Sequence, residues 1–88
     1  MRQRFDPKDL FTVLITQLTS SAWSQLGVNR NPMTGKQETN LEAANMTIGI
    51  LEALLFKTAG NLNKQEDLFL SESVRDLKMK LKQLTTQP

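Results

Sequence analysis

Apolar residues recur at helical spacing in three separate runs, each bounded by residues that start or stop helices. The middle run, Leu41–Ala59 (LEAANMTIGILEALLFKTA), organises the chain. Asn40 stands before it as a cap, and Gly60 stands after it as a stop. One apolar face carries Leu41, Ala44, Ile48, Leu51 and Leu55. A second set, Met46, Ile50, Ala53 and Leu54, lies on another side. A helix that is apolar on more than one side is generally buried on more than one side. Two helices of the same chain could cover it, or one helix and a second subunit. Gly49 interrupts the run and costs about 1 kcal/mol relative to alanine. A close helix crossing at that point would account for it.

The first run opens at Asp6-Pro7, an N-cap followed by a proline whose missing N–H would be orphaned anyway. It ends near Leu26, before Gly27. Leu10, Phe11, Leu14, Ile15, Leu18, Ala22 and Leu26 fall within an arc of roughly 160°, which reads as a core face. Thr12, Thr16, Thr19 and Trp23 make a neighbouring stripe. β-Branched residues lower the intrinsic helix propensity here, so packing must hold this helix. A strand over Phe11–Leu18 competes, but the period is helical. Met1–Phe5 reads as a mobile lead.

The third run spans about residues 64–84. Leu70, Val74, Leu77, Leu81 and Leu84 repeat at four- and three-residue intervals. That is heptad spacing, narrower than an ordinary core face. Glu66 and Asp67 near the start and Lys78, Lys80 and Lys82 near the end suit the helix dipole. Residues 85–88 are expected to fray.

Two connections differ in kind. Residues 27–39 (GVNRNPMTGKQET) form a long irregular loop, with type I turn chemistry at Asn31–Thr34 and Gly35 behind it. The second link is short: Gly60 stops one helix, Leu62 folds back, and Asn63 with Glu66 makes a capping-box pattern for the next. So short a link predicts an antiparallel hairpin. The fold expected is all-α: a single small helical domain over 1–88, with helices at about 7–26, 41–59 and 64–84, as a helical hairpin plus N-terminal helix that self-associates.

These motifs resemble a bacterial family known as domain of unknown function number 1844. The similarity is carried by Phe11…Leu14-Ile15…Leu18…Ala22…Leu26-Gly27, Asn31-Pro32-x-Thr34-Gly35, Asn40-Leu41-x-x-Ala44-x-x-x-Ile48-x-x-Leu51, and Lys57-Thr58-x-Gly60-Asn61-Leu62 with Glu66. It covers roughly Phe5 to Met79. The Lys-Thr-x-Gly-Asn-Leu element is its most specific piece. Trp23 and the lysine-rich end depart from the pattern. The resemblance implies a small, mostly helical bacterial protein; it supplies no activity and no catalytic residue.

Composition narrows the chemistry. The chain has 88 residues, no cysteine and no histidine. Disulfides, thiolate sites and the commonest general base are therefore absent. Lys57-Thr58 beside Gly60 superficially suggests a phosphate loop. However, the pair ends a helix, where the partial charge is negative, and the P-loop spacing is missing. Glu42 and Glu52 lie ten residues apart and about 15 Å along a helix, too far for an acid–base pair. Glu66, Asp67, Glu72 and Asp76 read as a solvated face rather than a metal site. Ser20, Ser21 and Ser24 have no histidine partner. No cofactor or metal is expected, and enzymatic activity is not expected.

Net charge is +2. Arg75 and Lys82 point one way and Lys80 nearly the opposite way, which argues against a nucleic-acid stripe. No apolar run reaches membrane-spanning length, and no signal core precedes Asp6. A cytoplasmic location is expected. The function expected is a non-enzymatic interaction module. It acts as a homodimer through the third-helix seam or through the second face of the central helix, at Met46, Ile50 and Ala53. Trp23 is either a partner contact or packing beneath the 27–39 loop. The alternatives are an accessory RNA- or DNA-binding protein and, if a pocket gathers lysine and carboxylate groups, a small enzyme.

Overall fold

A computed structural model describes residues 7–28, 35 and 38–86. Three helices follow one another: α1 (Pro7–Gln25), α2 (Leu41–Lys57) and α3 (Lys64–Thr86). Among the described residues the only extended pairing is an isolated antiparallel bridge between Leu26 and Thr39. The all-α expectation therefore holds. α2 is central and packs on both neighbours, while α1 and α3 touch each other less.

Local chemistry sets the ends. Asn40 caps α2, its side chain accepting from the Ala43 N–H at 3.0 Å. At the other end the Thr58 N–H donates to the Leu54 carbonyl at 2.9 Å. The Thr58 hydroxyl donates to the same oxygen at 2.6 Å. Gly60 follows at φ +85°, and the Asn61 N–H closes a turn onto the Thr58 carbonyl. That turn needs positive φ at its third position, which glycine adopts without steric cost. Leu62 then lies half-buried against the core. The capping box forms in both directions: Glu66 N–H donates to Asn63 Oδ1 at 2.8 Å, and Asn63 N–H donates to Glu66 Oε1 at 3.0 Å.

Some boundaries move. α1 stops one residue early because Leu26 leaves the helix to pair with Thr39. α2 ends at Lys57, since the tightened Thr58–Asn61 turn begins there. α3 continues two residues past Leu84, to Thr86, and the Thr85 hydroxyl donates to the Lys82 carbonyl at 3.2 Å. The lead at residues 1–5, the Asp6 cap, the Asn31–Thr34 turn and residues 87–88 lie outside the described residues.

The base of the long loop is tied. The Asn40 N–H donates to the Gln25 carbonyl at 2.7 Å beside the Leu26–Thr39 bridge. Thr47, the one buried polar residue described, sits just above. Its hydroxyl oxygen is 2.7 Å from Gln25 Oε1 and 3.0 Å from the Ala43 carbonyl. A hydroxyl has one proton. Donation to Ala43, with acceptance from a Gln25 amide turned to present its NH₂, satisfies both contacts. These bonds hold the end of α1 against the start of α2 and make the pair antiparallel.

The core takes three residues from each segment: Ile15, Ala22 and Leu26; Ala44, Ile48 and Leu51; Leu70, Val74 and Leu77. Phe11, Leu18, Trp23, Leu81 and Leu84 pack partly buried at its margin. The core face of α1 is narrower than its sequence arc. Leu10 and Leu14, expected inside, stand 49% and 42% exposed. They lie at the edge of the arc, and α2 and α3 together cover only its other side.

The Thr19 hydroxyl is buried without a hydrogen-bond partner. Such a group keeps its desolvation cost and recovers nothing for it. Thr19→Val preserves the shape and removes the hydroxyl. It is expected to raise stability by about 1 kcal/mol, measured as a higher urea midpoint at unchanged slope. A lower midpoint would mean that the hydroxyl is satisfied in solution.

Candidate interaction surface

The heptad seam of α3 does not offer a docking face. Leu70, Val74 and Leu77 are core residues, and Leu81 and Leu84 are half-buried against the same cluster. A four-three spacing describes a helix packing on any helix, including its own chain's. Trp23 is likewise half-buried on the core, and its carbonyl accepts from the Val28 N–H at 3.0 Å where the loop begins.

The second face of α2 behaves differently. Met46 is 68% exposed, Ile50 is 44% exposed, and Ala53 and Gly49 are exposed as well. Only Leu54 of the second apolar set is half-buried. Further along the same helix Phe56 is 79% exposed. α1 and α3 thus cover one side of α2 and leave the back bare. Among the described residues no helix crosses at Gly49: a Cβ built there meets none of their atoms within 4 Å.

α1 extends this surface. Gln25 and Thr47 mark the sides on which α1 and α2 face each other. Asp9 and Thr12 mark the side of α1 near Phe69 on α3. On a 100° wheel Leu10 and Leu14 fall beyond the α2-facing side of α1, and Ile50 and Met46 fall beyond the α1-facing side of α2. Both stripes therefore lie on the outer side of the α1–α2 pair, Met46 and Ile50 level with the end of α1, and Leu10 and Leu14 level with the end of α2. A sequence signal for the α1 part exists: no charged residue occurs from Leu10 through Val28. An outward helix face in water normally carries charge.

Charge collects elsewhere. Arg75, Lys78 and Lys82 share a side of α3 with Met79, while Lys80 is half-buried on another. Lys78 Nζ lies 2.9 Å from Glu52 Oε2, and Arg75 Nε lies 3.9 Å from Asp76 Oδ1. Both pairs are largely solvated and worth little to stability. Lys78 and Glu52 also wall an open groove of about 530 Å³ between α2 and α3, floored by Leu41, Ile48 and Leu81. Among the described residues no three histidine, cysteine or acidic side chains converge on a point. Lys57 and Thr58 belong to the stop of α2, where the Thr58 hydroxyl is engaged by Leu54 and faces no ligand loop. Gly60, Asn61 and Leu62 complete that turn. None of the described helices is long and apolar enough to cross a membrane.

Comparison with curated proteins and with solved structures finds no match to this chain. A family model does match, over residues 8–83. That span holds the nine core residues among those described, the Lys-Thr-x-Gly-Asn-Leu stop and the open face of α2. The chain belongs to the family described as a domain of unknown function, DUF1844.

Proposed function

We propose that this domain is a non-enzymatic interaction module that works as a homo-oligomer, with the open face of α2 as its contact surface. The observation that carries the reading is the exposure of Met46, Ile50 and Phe56 on one helix after the protomer has formed its core. These three side chains expose roughly 380 Å², taking about 200 Å² for each whole residue. The largest apolar patch on a typical monomer is about 300–600 Å². A standard interface takes about 800 Å² from each partner. Three side chains of one helix therefore supply about half of one partner's share. A cytoplasmic setting belongs to the same proposal and rests on the cysteine-free composition.

Sedimentation equilibrium tests the reading. The expected result is a dimer fraction that rises with protein concentration and a melting temperature that rises with it. A 10.0 kDa species that stays monomeric at high micromolar concentration would overturn it.

A further inference from the structure

Resting on the self-association reading, we infer that the partner is a second copy whose α2 lies antiparallel on the first, with a two-fold axis level with the Gly49–Ile50 peptide. The exposed stripe of α2 reads Glu42, Met46, Gly49, Ile50, Ala53, Lys57. On the helical wheel these six fall within an arc of about 100° opposite the core. The stripe is arranged symmetrically in size and antisymmetrically in charge about its midpoint. Met46 and Ala53 are equidistant from that midpoint, as are Glu42 and Lys57. An antiparallel two-fold contact brings equidistant positions to the same level. Met46 then faces the partner's Ala53, a large residue against a small one. At the axis the two-fold keeps each edge of the stripe on its own side, so Ile50 meets the partner's Ile50, and Gly49 meets the partner's Gly49, where the missing side chains let the backbones approach.

Charge fixes the direction. Glu42 and Lys57 bracket the apolar stripe, and both are exposed. Neither joins an ion pair among the described residues. Each lies about 11 Å from the axis, so a shallow crossing of about 20° keeps it within reach of its opposite number in the partner. A parallel two-fold contact would place Glu42 beside the partner's Glu42 and Lys57 beside the partner's Lys57. Between those ends the stripe has no charge to oppose a second copy of itself. The bordering α1 surface, Leu10 through Val28, has none either. A self-contact needs a self-complementary surface, and this one is.

The arrangement also gives Gly49 a role. Glycine is disfavoured inside a helix, and none of the described residues approaches this one. A second α2 crossing beside it would use the missing side chain.

The test is a charge exchange read by sedimentation equilibrium at low ionic strength, with helicity monitored by circular dichroism. Glu42→Lys and Lys57→Glu should each weaken the dimer several-fold, because each change acts twice across the axis. The double variant Glu42→Lys/Lys57→Glu should recover most of the wild-type affinity. Ile50→Glu, at a position the protomer leaves open, should weaken the dimer on the order of 100-fold or more while helicity persists. If wild type dimerises and Ile50→Glu does too, self-association stands and this face falls. If Ile50→Glu dissociates the dimer but the charge exchange shows no rescue, the antiparallel register is overturned. If wild type stays monomeric at high micromolar concentration, the functional reading falls with it.

Discussion

Leu51→Ala is expected to remove about 3–5 kcal/mol of folding stability, a large share of what so small a domain has. Leu51 is fully buried, at the centre of the α2 face that meets both α1 and α3. Its neighbours in the cluster are long, well-packed side chains: Ile15, Ile48, Leu70 and Leu77. Truncation loses the transfer free energy of the side chain and leaves a cavity that three rigid helices fill poorly. A domain of this size has about 4–13 kcal/mol in total. The measurement is a urea titration followed by far-ultraviolet circular dichroism, compared with Ile50→Ala at the same dilution. Ile50, the next residue, lies on the open face, so its truncation should cost less than about 1 kcal/mol there. Equal losses at the two positions would mean that the core and the bare face have been assigned the wrong way round.

Gly27→Ala is expected to cost about 2–4 kcal/mol, an unusual loss for one methyl group at a loop position. Two independent penalties act at once. Gly27 has φ +82°, a region in which a Cβ is strained. A Cβ there would also collide with Thr39 Oγ1, across the bridge that ties the loop to the bundle. The chain has little room to relax, because the Gln25 carbonyl and the Asn40 N–H clamp the same junction. Thermal melts of Gly27→Ala and Gly27→Ala/Thr39→Ala separate the two terms. The double variant should regain the part due to the collision and retain the part due to the backbone. A single variant as stable as wild type would show that the junction is looser than its geometry implies.

The helices were legible in the sequence because their signals are local. Asn40, Gly60, Asn63 and Glu66 act within a turn of where they stand, and each makes the bond its position suggests or supplies the turn it implies. The doubly apolar character of α2 was legible for the same reason. What periodicity cannot supply is the position of the neighbour. The arc of α1 contained Leu10 and Leu14, but which part of an arc is covered depends on where α2 and α3 sit. The seam of α3 was equally suited to a partner or to the chain's own core, and the core took it. Gly49 suggested a crossing that the described residues do not contain. The mirror order of sizes and charges along α2 is present in the sequence itself, yet it acquires meaning only once that face is known to be bare.

The tied junction at Leu26, Thr39, Gln25 and Asn40 has a practical corollary for engineering. The bundle is fastened at the root of the 27–39 segment, so lengthening the segment beyond the tie leaves the fastening in place. Doubling the length of such a segment costs only about 0.6 kcal/mol in closure entropy. A reporter peptide or recognition epitope spliced there would ride on the bundle as on a post, at the opposite end from the hairpin that joins α2 to α3.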